Sequence, residues 1–148
     1  MTRFSFRLES ILQIKIKLEE QAKMEFAAVK IRLNEEEEKL DLLKAKKEAY
    51  EQALKKLYMD ELDIRMINFT AGAVRIVDGQ IKTQVFAVKR AQKQVELASE
   101  KLNKVMQERK SMEKLKENKF AEYMKEYNEE ESKQTDELIS YQYGKVED

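Results

Sequence analysis

The chain has 148 residues, 39% of them charged, with 29 bases balancing 29 acids. It contains no proline, cysteine, histidine or tryptophan and only three glycines. Those absences exclude a disulfide framework, a thiolate nucleophile, a zinc–thiolate site and any chemistry built on imidazole.

The opening Met1-Thr2-Arg3-Phe4-Ser5-Phe6-Arg7 lacks the continuous apolar stretch of a signal peptide. No apolar run anywhere approaches the roughly 20 residues of a membrane-spanning helix, so the expectation is a soluble cytoplasmic protein. From the N-terminus a seven-residue apolar period sets in. One stripe position is held by Leu12, Phe26, Leu33, Leu40 and Leu54, and its partner by Ala22, Val29, Leu43, Tyr50, Leu57 and Ile64. The period holds over about seven heptads, which separates the chain from a disordered polar polymer. It predicts a first helix over about 4–64.

The period breaks in Ile64-Arg65-Met66-Ile67-Asn68-Phe69-Thr70-Ala71-Gly72-Ala73. Asn68 or Thr70 is suited to cap a second helix and Gly72 supplies backbone freedom, which places a turn at about 65–72. The stripe then resumes with Val74, Ile81, Val88, Val95 and Leu102 against Val77, Ala91, Ala98, Val105 and Met112. This predicts a second helix over about 73–140 and a frayed acidic tail to 148. Gly79 inside that helix costs about 1 kcal/mol relative to alanine, and marks either a close backbone approach, a kink or a tolerated weak spot.

The predicted fold is all-α: one long two-helix antiparallel coiled-coil hairpin occupying 1–148. A short connection gives the second helix an effective concentration on the order of millimolar, favouring the hairpin over a parallel homodimer by about 4 kcal/mol. The chain is therefore expected to be a monomer in isolation. A reversal near residue 68 makes partner numbers sum to about 136, at 1.5 Å rise per residue in both helices. Leu12 then falls opposite Met124, Leu40 near Val95 and Leu54 near Ile81. Lys15, Glu19, Glu36, Lys47 and Glu61 interrupt the first stripe; Gln84, Arg109, Lys116 and Lys119 interrupt the second. Polar groups at such positions set register more often than they do chemistry.

A slender helix pair has no room for a buried catalytic pocket, so function belongs to its surface and ends. Beyond Met112 the stripe turns aromatic, with Leu115, Phe120, Tyr123, Met124 and Tyr127 facing Phe4, Phe6, Leu8, Ile11 and Leu12. Those rings either seal a fraying end or form a docking surface. Charge is segregated along the chain: residues 1–33 carry seven bases against four acids, and 126–148 carry two against eight. Residues 74–119 carry twelve bases against six acids, but the interspersed Asp78, Glu96, Glu100, Glu108, Glu113 and Glu117 argue against nucleic-acid binding. The Glu35-Glu36-Glu37-Glu38 run cannot converge on one ion, because successive side chains point around a helix at about 100° intervals. No catalytic residue, metal site or cofactor is expected. The basic, apolar stretch 3–18 has some character of a membrane-surface helix, but it serves more simply as the start of the seam.

Several stretches resemble the flagellar type III export protein family FliJ. They are Phe4-Ser5-Phe6-Arg7-Leu8-Glu9-Ser10-Ile11-Leu12, then Lys15 and Glu19-Glu20-Gln21-Ala22, and mid-chain Ile81-Lys82-Thr83-Gln84. Later come Glu108-Arg109-Lys110-Ser111-Met112-Glu113-Lys114-Leu115-Lys116-Glu117, Glu122-Tyr123, Glu130-Glu131 and Asp136-Glu137. The resemblance implies a coiled coil similar to the shaft of the rotary ATPase gamma subunit. It implies three partners: the hexameric flagellar export ATPase, the cytoplasmic domain of the membrane export gate protein, and export substrate chaperones. It places the protein in the cytoplasm, peripherally at the membrane of the flagellar base. The ATPase-docking tip it implies comprises Phe4, Phe6, Arg7, Leu8, Leu12, Phe120, Tyr123 and Tyr127, with export-gate contacts at Leu43, Tyr50 and Phe69. The alternatives are a stalk subunit of another rotary-type ATPase or a generic coiled-coil scaffold or chaperone.

Overall fold

The computed structural model describes residues 2–147, with side chains as far as residue 144. Two helices, α1 (Glu9–Met59) and α2 (Ile64–Glu147), account for nearly all of it, and no strand occurs among the described residues. They pack against each other antiparallel, as an all-α hairpin. The turn lies at 60–63, ahead of the expected 65–72. Asp63 is the reason: its carboxylate accepts from the main-chain N–H of Arg65 (3.1 Å) and Met66 (3.3 Å), the geometry of an N-cap. Its carbonyl accepts from Ile67 N–H at 3.0 Å, and Asp60 N–H closes the last turn of α1 on Lys56 at 3.2 Å. Asn68, Thr70 and Gly72 therefore sit inside α2, and no glycine has a positive φ.

Moving the turn moves the register. Lys15 meets Glu108 and Lys47 meets Asp78, so α1 residues face α2 residues roughly three helical turns earlier than a partner sum of about 136 implies. The pairings of Leu12 with Met124, Leu40 with Val95 and Leu54 with Ile81 are corrected accordingly.

Contacts group the chain into two compact units. The unit Gln21–Asn103 has a thin core of Ala22, Val77, Val88 and Ala91 with buried Thr70, flanked by half-buried Leu33, Leu40, Leu54 and Ile81. Polar layers interrupt it. Gln84 donates to the Glu36 carbonyl (2.9 Å) and carboxylate, Lys47 pairs with Asp78 at 2.8 Å, and Lys101 with Glu25 at 2.9 Å. A Cβ on Gly79 would meet nothing within 4 Å, so no other backbone approaches there.

The other unit joins the chain up to Glu20 with the chain from Lys104 onward. Leu12, 3% exposed, is its buried apolar centre. Buried Glu19 accepts from the Arg109 guanidinium, which also reaches Glu113 at 2.8 Å, and this pairing holds Arg109 protonated above its already high value. Lys15–Glu108 (2.9 Å) and Lys116–Glu9 (2.8 Å) complete the layers. α2 continues as helix past the expected end at 140, since no breaker intervenes before Gly144, and its side chains from 128 to 144 are exposed.

Two outcomes follow from this arrangement. Asp63→Ala should lower unfolding free energy by about 1 kcal/mol in urea titration, whereas Asn68→Ala, no longer a cap, should be nearly silent. The second concerns acid. Glu9, Glu36, Asp78 and Glu108 are held below their ordinary values, chiefly by hydrogen bonds from Lys116, Gln84, Lys47 and Lys15 respectively. Because the unfolded chain takes up those protons first, their stabilisation is present above the ordinary carboxylate range and is lost as pH falls through and below it. The thermal midpoint should drop across that window, and less steeply in Lys47→Met.

Candidate functional site

The chain before α1 is not helical, so the expected start near residue 4 is corrected to Glu9. Over Arg3–Leu8 exposure alternates: Phe4, Phe6 and Leu8 are half-buried, while Arg3, Ser5 and Arg7 face solvent. Residues 2–6 take no regular secondary structure, and the alternation was present in the sequence as alternating apolar and polar residues. A turn from Phe6 to Glu9, whose N–H donates to the Phe6 carbonyl at 3.1 Å, then starts the helix.

This N-terminal strap brings rings together on α2. Phe4 meets Phe120 edge-on with centroids 5.1 Å apart and lies tilted against Tyr123 at 5.4 Å. Phe120, Tyr123 and Tyr127 stack in succession at 6.4 and 6.2 Å. The Tyr123 hydroxyl donates to the Thr2 carbonyl at 2.8 Å, tying the strap down. Hydrogen bonding to Glu131 raises the Tyr127 phenol above its usual value. Phe6, Arg7 and Leu8 line an open groove of about 760 Å³ beside Leu115, Lys119 and Tyr123. Seven of the eight expected tip residues therefore gather at one place. Leu12 does not: it is buried in the seam and presents nothing to a partner.

The expected gate residues are not brought together as one exposed patch. Leu43 and Tyr50 are half-buried on the α1 seam, with the Lys46 ammonium 5.9 Å from the Tyr50 ring centroid. Phe69 is 74% exposed on the early turns of α2. Missed by sequence reasoning are Ile76 and Phe86, 66% and 65% exposed on α2. Both lie off the apolar stripe of α2.

Among the described residues no group of acidic side chains is placed to hold a metal ion, and no helix is long and apolar enough to cross a membrane. What the aromatic end offers is recognition: stacked rings, exposed arginines and a helix continuing beyond its partner. A family model described as Flagellar FliJ protein matches residues 4–147. The chain belongs to the FliJ family. No curated protein and no solved structure matched it. Membership makes this a flagellar export-related protein of a family without catalytic activity.

Tyr123→Phe keeps the ring stack but removes the bond to Thr2. Loss of about 1 kcal/mol from the strap should speed tryptic cleavage after Arg7 about fivefold, with cleavage in the seam unchanged.

Proposed function

We propose that this FliJ-family chain is a coiled-coil shaft that binds and stimulates the hexameric flagellar export ATPase and links it to the export gate and to substrate chaperones. The observation that carries this reading is the aromatic end itself. Phe4, Phe120, Tyr123 and Tyr127 form one contiguous ring cluster at the point where α1 stops and α2 runs on alone. Aromatic clusters of this kind act as anchors in protein interfaces, and unpaired helix beyond them lengthens the reach.

The shaft works by differential affinity. If it binds one arrangement of ATPase subunits better than another, it biases assembly and turnover by that difference and needs no chemistry of its own. The protein works at the cytoplasmic face of the flagellar base. For the gate contact, exposed Phe69 is the strongest of the three expected residues, and Ile76 and Phe86 extend the exposed apolar surface of the same helix. Leu43 and Tyr50 support that region from the seam.

Purified ATPase with and without the chain tests the tip. Phe120→Ala with Tyr123→Ala, Phe4→Ala with Phe6→Ala, or removal of 128–148 should each weaken ATPase binding about tenfold or more and reduce stimulation to match, with helical circular dichroism per residue nearly intact. Unchanged stimulation in all three would overturn the assignment.

A further inference from the structure

The back of α2 carries a basic face that the fold leaves bare. At about 100° per residue, Arg75, Lys82, Phe86, Lys89 and Lys93 fall within roughly 60° of arc, with Arg90 and Leu97 beside them. Val77, Val88 and Ala91, buried against α1, lie on the opposite side of the helix. The back-face side chains are all exposed, Phe86 by 65% and Leu97 by 53%. Among the described residues no ion pair engages Arg75, Lys82, Lys89 or Arg90. The Lys89 ammonium lies 5.9 Å from the Phe86 ring centroid.

The acidic neighbours are few, and most are engaged. Asp78, at the margin of the face, is held by Lys47 at 2.8 Å; Glu96 meets Lys93 at 3.8 Å, and Glu100 ends the face. The run Glu35 to Glu38, with Asp41 and Glu48, belongs to the stretch of α1 that the Lys47–Asp78 and Glu36–Gln84 contacts set alongside. A surface laid against the back of α2 meets those acids one interhelical spacing further off, about 8–10 Å, or about one Debye length at physiological salt. The basic face, about 27 Å long from Arg75 to Lys93, is what such a surface meets first.

We propose that this face lays α2 on an anionic bilayer surface, with Arg75, Lys82, Lys89 and Lys93 meeting lipid phosphates and Phe86 and Leu97 entering the headgroup boundary. The long basic side chains reach back to the phosphates while the ring sits deeper. Charge and apolar content together select this occupant. A partner helix needs an apolar residue every three or four positions, whereas Phe86 and Leu97 stand eleven apart. A nucleic acid would pair with the bases and leave Phe86 and Leu97 without a role. A second copy of this chain would set the same bases against each other. Phe69 and Ile76 lie roughly 80–100° round the helix from Phe86, so this contact is separate from the one proposed for Phe69. It requires neither the ATPase nor the gate protein.

The test sediments the full chain with vesicles of phosphatidylcholine alone and with vesicles containing about a third phosphatidylglycerol. The chain carries no net charge, so binding confined to the anionic vesicles and weakened by salt reports a local face. Lys82→Gln with Lys89→Gln should weaken binding about twentyfold, at about fivefold per base. Lys44→Gln with Lys55→Gln, which removes the same charge from α1, should match the parent. The chain has no tryptophan, so Phe86→Trp is a lone reporter. Its emission should shift to the blue on anionic vesicles and be quenched by brominated acyl chains, and Phe69→Trp should do neither. Equal loss in the two lysine pairs, equal binding to neutral vesicles, or a Phe86→Trp signal that stays that of water would sink the proposal. So would duplex DNA or a glutamate-rich helix bound more tightly than the vesicles and lost in Lys82→Gln with Lys89→Gln, which would give the face to a nucleic acid or an acidic protein. The assay contains no ATPase or gate protein, so its failure leaves the docking reading standing, and a failure of ATPase binding leaves this face standing.

Discussion

Register governs this molecule. Val74, Ile81, Val88, Val95 and Leu102 recur at seven-residue intervals on α2, as Leu33, Leu40 and, past Lys47, Leu54 do on α1. An apolar seam with that repeat can slide by one heptad and still match apolar to apolar. The polar layers cannot. A slip of seven would part Glu19 from Arg109, Glu36 from Gln84 and Lys47 from Asp78 together. Glu19 is buried, so it would be left as a carboxylate out of water with no guanidinium beside it. Such pairs add little net stability over a well-packed apolar alternative, but they penalise every wrong alignment. The Asp63 cap acts in the same direction by fixing where α2 begins.

The aromatic end is a consequence of that alignment. Lys116 meets Glu9, and the next turns of α2 bring Phe120 and Tyr123 level with Phe4. Had residues 2–8 continued as helix, Phe4 and Leu8 would share a face one turn apart while Phe6 pointed about 200° around. As a non-helical strap, the segment leaves all three half-buried while Arg3, Ser5 and Arg7 stay exposed.

The heptad stripe made the all-α hairpin legible, because alternation of three and four residues has no other sustained explanation at this length. The turn was misplaced for an identifiable reason. Gly72 with Asn68 and Thr70 looks like turn chemistry, yet helix tolerates each of them, and a helix pays only a modest penalty for a glycine with open space around it. Asp63 outweighs them because its carboxylate satisfies two N–H groups that would otherwise be orphaned. An error of a few residues in the turn doubles in the register, since both helices shift in opposite directions. Leu12, a stripe residue that the family resemblance also placed at the tip, lies buried in the seam. The ring cluster survived the error because its aromatic residues occupy several consecutive turns at the chain ends. Leu43 and Tyr50 lie on the seam, as their stripe positions in the sequence already indicated, whereas Phe69 is exposed.

Charge and burial together distinguish the aromatic end from the rest of the seam. Along the seam Lys15, Glu19, Glu36 and Lys47 each meet a counterpart from the opposite helix, so a lateral partner finds those polar groups already satisfied. At the aromatic end the balance changes. The rings are only part-covered, and α2 proceeds with exposed Leu138 and Ile139 and without α1 beside it. An isolated helix in water gains little beyond its own hydrogen bonds and local side-chain pairs, such as the Thr135 hydroxyl donating to the Glu131 carbonyl at 2.9 Å. A second protein that supplies apolar surface there replaces what α1 withholds. The physical demand for a partner is therefore greatest where the hairpin stops being a pair.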